Sequence, residues 1–207
     1  MTQIFLLDTQ KHKEAILSLC ERVSESRRIK AEKMPKEDSR LLSIGAEICL
    51  SFALNRPLPV VYDTLSNGKP YIKGEKHFSI SHSGAFAVCA VSDSPVGVDV
   101  EMVERMRENL AERILSKKEY EIFSSLKDGK KHNLCLVWTL KEAYLKKTGE
   151  GIRRDLKELC TESGIDGHFF DIRDFGGGVI SLCLEKEDEI TFTEISKDDL
   201  EKRFLYV

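Results

Sequence analysis

Six cysteines occur in this sequence, at positions 20, 49, 89, 135, 160 and 183, and no two of them form a C-x-x-C pair. A thiol redox motif and a cysteine zinc knuckle are thereby excluded, and the cysteines, mostly in apolar stretches, read as buried thiols of a reducing compartment. The five histidines are scattered without ligand spacing, which argues against zinc. Long hydrophobic runs are absent too. Nothing approaches the roughly 20 apolar residues of a membrane span, and the run Ile4-Phe5-Leu6-Leu7 is too short for a signal peptide. A cytoplasmic protein with no membrane partner is expected. Neither G-x-x-x-x-G-K-[ST] nor G-x-S-x-G occurs, so neither a P-loop nor a hydrolase elbow carries the chemistry. Excess positive charge is lacking: 32 Lys and Arg face 35 Asp and Glu, a net charge of -3. Nucleic acid is excluded as main partner, and any anion site must be local.

What is present is ordinary globular material, 41% hydrophobic and 32% charged over 207 residues, enough for one large domain or two small ones. Residues 10–24 place Ala15, Ile16, Leu19, Cys20 and Val23 on one helical face, and residues 36–54 do the same with Leu41, Leu42, Ile48, Cys49 and Phe52. Between them runs a basic stretch with Arg27, Arg28, Lys30, Lys33 and Lys36. Residues 78–91 and 96–101 read as strands joined by a turn at 92–95, Ser116 to Glu119 as a capping box opening a helix, and 133–147 as a further helix. A weak repeat sets residues 44–54 against 139–149 and 86–91 against 179–184. It pairs Glu47 with Glu142 and Cys89 with Cys183, at offsets of 95 and 94 residues. The expected fold is α+β, with two similar subdomains (1–103 and 104–207) packed as an intramolecular pseudo-dimer and one site at the seam.

Alternation along a strand puts Asp99 and Glu101 on one face while Val98 and Val100 face the core. On the 133–147 helix Trp138, Glu142 and Lys146 recur at spacing four and share a face. A lone D-x-E is ordinarily a solvated strand end, and a lone Glu-Lys pair an exposed ion pair of about 0.3 kcal/mol. Together, three carboxylates without a histidine cluster favour a hard cation such as Mg2+, which takes one or two carboxylates plus substrate phosphate. Ser81-His82-Ser83-Gly84 ends a strand and enters a turn, bringing hydroxyl, imidazole and free N–H groups to one place that suits a phosphate. Gly68-Lys69-Pro70 is a turn with one lysine.

In order, GKPYI (68–72), HFSISHSGAFAVCAVS (77–92), PVGVDVE (95–101) and WTLKEAYLKKTGEGI (138–152) closely resemble the 4'-phosphopantetheinyl transferases of the surfactin-synthetase-activating type, as does the preceding segment 27–45. The resemblance implies a two-lobed α+β pseudo-dimer. It also implies transfer of the phosphopantetheine arm of coenzyme A to a serine of an acyl or peptidyl carrier protein, releasing adenosine 3',5'-bisphosphate. By position Asp99, Glu101 and Glu142 would be Mg2+ ligands. Lys69, Ser81, His82 and Lys146 match positions that contact coenzyme A phosphates, and Arg27, Lys30 and Arg40 would lie near the 3'-phosphate. Relatives often carry a hydroxyl residue after the position of Arg40, where this chain has Leu41. Glu142 is the candidate base, directly or through a water, and Lys146 would offset charge on the leaving group. The expected enzyme is a monomer.

Overall fold

The alternation of apolar and polar residues builds two sheets, and the helical repeats cover their outer faces. The structure is a computed structural model and describes residues 1–151 and 154–205; Ile152, the last residue of the fourth motif, lies outside the described residues. Strand β1 (Thr2–Asp8) leads through α1 (Lys13–Ser18) and α2 (Glu25–Glu32) to the long α3 (Glu37–Ala53). A short ladder, β2 (Asp63–Thr64) with β3 (Pro70–Tyr71), precedes the hairpin β4 (His77–Ser83) and β5 (Phe86–Ser92). Strand β6 (Gly97–Met102) then opens a second succession: α4 (Ala111–Ile114), α5 (Lys117–Ser125), the long α6 (Lys130–Thr148), and the hairpin β7 (Phe169–Phe175) and β8 (Gly178–Leu184). Strand β9 (Ile190–Glu194) and α7 (Lys197–Leu200) follow.

The first sheet has the order β4-β5-β1-β9 and the second β6-β8-β7. The chain is α+β, and its two successions repeat the strand order (β4-β5-β1 and β7-β8-β6), which is consistent with an intramolecular pseudo-dimer. Strands cross between halves. β6, within 1–103, pairs antiparallel with β8, and β9 returns to pair parallel with β1. Between the sheets, Ile4, Leu6, Val88, Val98, Val100 and Ile180 form one buried cluster, each such side chain contributing about 1.5–3 kcal/mol by leaving water. The opposite faces pack on α3 and α6 respectively. All six cysteines are free, four of them buried and Cys20 and Cys160 half-buried. Among the described residues no helix is long and apolar enough to cross a membrane.

Several expected boundaries differ. The stretch 78–91 is two strands, because Gly84 takes a φ of +61°, a left-handed conformation that suits glycine and turns the chain. The helix expected over 10–24 shortens to Lys13–Ser18, although Leu19 and Val23 are still buried in the turns beyond it. The basic stretch contains a helix of its own, α2, in which Ala31 is the buried residue. The capping box is present as expected: Ser116 Oγ accepts from Glu119 N, and Glu119 Oε2 accepts from Ser116 N.

Candidate active site

At the seam, edge strand β4 of one sheet lies along edge strand β6 of the other, with α6 packed across β6. The side-chain alternation of β4 sends Ser79, Ser81 and Ser83 to the face that meets β6. Ser79 Oγ accepts from Val98 N at 3.0 Å, Ser81 Oγ donates to Asp99 Oδ1 at 2.7 Å, and Ser83 Oγ donates to Glu101 Oε2. Val98 and Val100 are buried between the sheets, so Asp99 and Glu101 face away from that core. Gly97 lets α6 come close: a Cβ there would lie 1.9 Å from the Ala143 carbonyl oxygen.

On α6, Glu142 and Lys146 face a cavity of about 250 Å³ whose walls include Asn67, Lys69, Phe78, Ile80 and Leu145. Lys146 Nζ lies 2.7 Å from both Asp99 Oδ1 and Ser81 Oγ. The rotation of α6 is fixed from behind by Lys141, wholly buried, whose ammonium donates to Glu119 Oε2 at 2.6 Å and to the carbonyls of Ile114 and Leu156 at 2.8 and 2.9 Å. All three ammonium protons are thereby used.

The carboxylates are under electrostatic pressure. Burial raises Glu142 to about 7, and the charges of Asp99 and Glu101 push the same way against Lys146. Glu101 is raised as well, chiefly by burial and by Asp99, with the Ser83 hydrogen bond opposing. Asp99 Oδ2 and Glu142 Oε1 are buried without a hydrogen-bond partner. A native fold leaves few such atoms, and each calls for a group that completes it. Glu47, the counterpart of Glu142 in the repeat, makes the contrast. It is also buried, but accepts from Ser24 N, Ser24 Oγ and Val60 N and lies 3.7 Å from Arg27 Nε. One glutamate is tied into the scaffold and the other is left open. Among the described residues no set of three or more His, Cys, Asp or Glu side chains stands ready to hold a metal ion, and the Lys146 ammonium occupies Asp99. The donor set nonetheless fits a hard cation, being all oxygen, anionic and incompletely satisfied.

The other expected residues are arranged around this core. Lys69 Nζ donates to the carbonyls of Lys147 at 2.6 Å and Val96 at 3.3 Å, strapping the 65–70 turn to the end of α6. Burial pushes its ammonium down to about 8, with help from the charge of Lys147. His82, opposite the serine face, is exposed. Its imidazole is held below the ordinary value first by crowding, then by the charges of Lys146, Lys30 and Arg27. The charges of all three cations reach His82. Arg27 Nη2 donates to Tyr62 Oη at 2.7 Å, while Lys30 is exposed on α2. Arg40 is exposed on α3, its Nε donating to the Met34 carbonyl at 2.7 Å. Trp138 packs against the core of the second half. Sequence reasoning missed Ser79 and placed Ser83 only in the phosphate-suited turn, not on Glu101, although their alternation with Ser81 was the available signal; the anchoring role of Lys141 had none.

A family model described as the 4'-phosphopantetheinyl transferase superfamily matches residues 95–203. The chain is similar to the 4'-phosphopantetheinyl transferase psf-1 of Bacillus pumilus, 35% identical over 111 residues that cover 52% of this chain and 48% of that protein. It is 27% identical over 168 residues to the 4'-phosphopantetheinyl transferase Sfp of Bacillus subtilis (strain 168), covering 77% of this chain and 73% of the other. The matched stretch thus spans about half the length of the first relative and about three quarters of the second. A crystal structure of holo-[acyl-carrier-protein] synthase (AcpS) from Thermotoga maritima aligns with 45% of this chain and 64% of its own, at 27% identity and a TM-score of 0.39.

Proposed function

The chain belongs to the 4'-phosphopantetheinyl transferase superfamily, and from that membership we propose that it moves the 4'-phosphopantetheine arm of coenzyme A to a serine of an acyl or peptidyl carrier protein, releasing adenosine 3',5'-bisphosphate. The observation that carries this reading is the seam itself, where Asp99 and Glu142 each keep a buried carboxylate oxygen without a partner and Glu142 lines a cavity that Lys146 and Lys69 also border. Such a place suits a ligand that brings a cation and phosphates together. Asp99, Glu101 and Glu142 would hold Mg2+, which when bound neutralises the charge of the diphosphate.

This chain's own residues do the rest. Lys146 faces the cavity on a flexible stem, with 29% of its side chain exposed, and offsets charge on the departing phosphate. Lys30 and Arg27, close enough to His82 to depress its pKa, supply a positive rim for the remaining phosphates, to which His82 offers a neutral imidazole N–H. Arg40 serves the 3'-phosphate. Glu142, raised towards 7 in the ligand-free protein, is suited to take the serine proton, directly or through a water. Both halves contribute to the site, Asp99 and Glu101 from 1–103 and Glu142 and Lys146 from 104–207, so one chain suffices and the proposed enzyme works as a cytoplasmic monomer.

The test is the intact mass of apo acyl and peptidyl carrier proteins after incubation with the protein, coenzyme A and Mg2+. A phosphopantetheine adduct, absent when Mg2+ is chelated, is the expected result. No adduct on any carrier of a broad panel overturns the reading.

A further inference from the structure

Three polar groups meet at one point of the seam and form a closed triangle. Lys146 Nζ, Ser81 Oγ and Asp99 Oδ1 lie 2.7 Å from one another on every side. Two unsatisfied oxygens accompany it: Asp99 Oδ2, on the same carboxylate, and Glu142 Oε1, one turn of α6 before Lys146, whose carboxyl feels the charges of Asp99 and Lys146. The partners differ in freedom: the Asp99 side chain is 5% exposed and held in its strand, whereas that of Lys146 is 29% exposed on a four-carbon stem. The lysine can leave; the aspartate cannot.

A divalent cation that approaches the open oxygens therefore meets an ammonium already seated on the same carboxylate. At such short range two cations repel strongly even with partial screening. A phosphate arriving from the cavity side changes this, because it offers the ammonium an anionic partner of its own. We infer that Lys146 is a built-in counter-ion of the carboxylate cluster, so that a divalent cation and a phosphate-bearing ligand bind cooperatively, each lowering the cost at which the other displaces the Lys146–Asp99 contact. The inference rests on the transferase reading for the identity of the two ligands, Mg2+ and coenzyme A. Linkage makes the effect reciprocal, each ligand tightening the other by the same factor. A lysine that merely braced the seam would leave the two affinities independent.

The experiment is titration calorimetry of Mg2+ and of coenzyme A, each alone and with the other saturating, on the wild type and Lys146→Met. In the wild type Mg2+ alone should bind weakly and gain about tenfold or more with coenzyme A, with the same gain for coenzyme A when Mg2+ is present. In Lys146→Met, Mg2+ alone should bind about tenfold tighter than in the wild type, and the mutual gain should shrink towards one. Lys146→Gln, which keeps a donor for Asp99 without the charge, should behave likewise and serves where the Met variant does not fold. Mg2+ binding unchanged by the substitutions, or full cooperativity retained in both variants, overturns the inference, as does failure of Mg2+ to bind in any arm. The carrier mass assay reports separately. Linkage through Lys146 without an adduct upholds this inference and sinks the transferase reading, whereas an adduct without linkage does the reverse.

Discussion

Glu142 is the residue on which the site's electrostatics converge, and the metal-free protein should register this in its stability. Burial and the charges of Asp99 and Glu101 raise its carboxyl from an ordinary 4.5 to about 7. Between those values the native state keeps a proton that the unfolded chain has released, so stability falls as pH rises from about 4.5 to about 7. Discounted for the group's partial exposure, that decline amounts to about 1–2 kcal/mol. Glu142→Gln should remove it and be more stable than the wild type at pH 8 but not at pH 4.5, measured by urea unfolding with divalent cations chelated. Parallel curves for the two proteins would show that the carboxyl is not under pressure. At this scale the sequence was legible where a short-range rule applies. The alternation that put Asp99 and Glu101 opposite Val98 and Val100 is a property of any strand, and the spacing of Glu142 and Lys146 of any helix. Lys141 was not legible. A lysine is expected in water, and its burial depends on Glu119, 22 residues away in sequence, and on two carbonyls of other segments.

Elements meet at the site through two contacts that substitutions can open separately. Gly97 has no room for a side chain, since a Cβ would fall 1.9 Å from the Ala143 carbonyl oxygen and 2.5 Å from Lys147 N. Gly97→Ala must push β6 away from α6, costing about 1–3 kcal/mol or more. It should also weaken transfer, because Asp99 and Lys146 stand on the two elements that separate. Near-native unfolding together with full activity would mean that the two elements do not need this approach. The second contact is the Lys141 anchor. Lys141→Met leaves the Glu119 carboxylate buried without its cation, a loss of about 3–5 kcal/mol. Adding Glu119→Gln should recover part of it in a double-mutant cycle, and additive losses would deny that the pair is coupled. Sequence periodicity located α3, α5 and α6 well because each buries an apolar stripe or carries a cap. It merged β4 and β5 because apolar residues continue on both sides of the turn and only Gly84 marks the break. It passed over α2 because that helix buries little besides Ala31, and Ile29 is exposed.

Seen whole, the molecule exchanges strands between its halves, and this was the least legible feature. No local pattern says that β9 will pair with β1, whose first residue is 188 positions earlier, whereas the repeat did foretell two similar successions. The same arrangement leaves the basic stretch of residues 105–118 beside the seam, with the charge of Arg105 reaching Glu101, and a carrier protein is expected to dock there. Arg105, Arg107, Arg113, Lys117 and Lys118 are all exposed, against Glu108 and Glu112 in the same stretch. Exposed Tyr120 and Ile122 add apolar surface, and a groove of about 620 Å³ runs between Leu115, Tyr120 and Lys157. This face is one buried ion pair from the active site, since the Glu119 that caps α5 also holds Lys141, the neighbour of Glu142. Carrier proteins of acidic surface would be drawn to it despite the net charge of -3, because steering depends on the local field within a Debye length of about 10 Å. Reversing Arg113 and Lys117 to Glu should raise the carrier KM about tenfold at low salt and flatten its salt dependence, because complementary charge acts mainly on encounter. Coenzyme A KM should stay unchanged, as neither residue borders the cavity between β4 and α6. Steady-state kinetics with each substrate varied in turn, at low and high salt, separates the two effects. A carrier KM that does not move at low salt would place the docking surface on another face of the molecule.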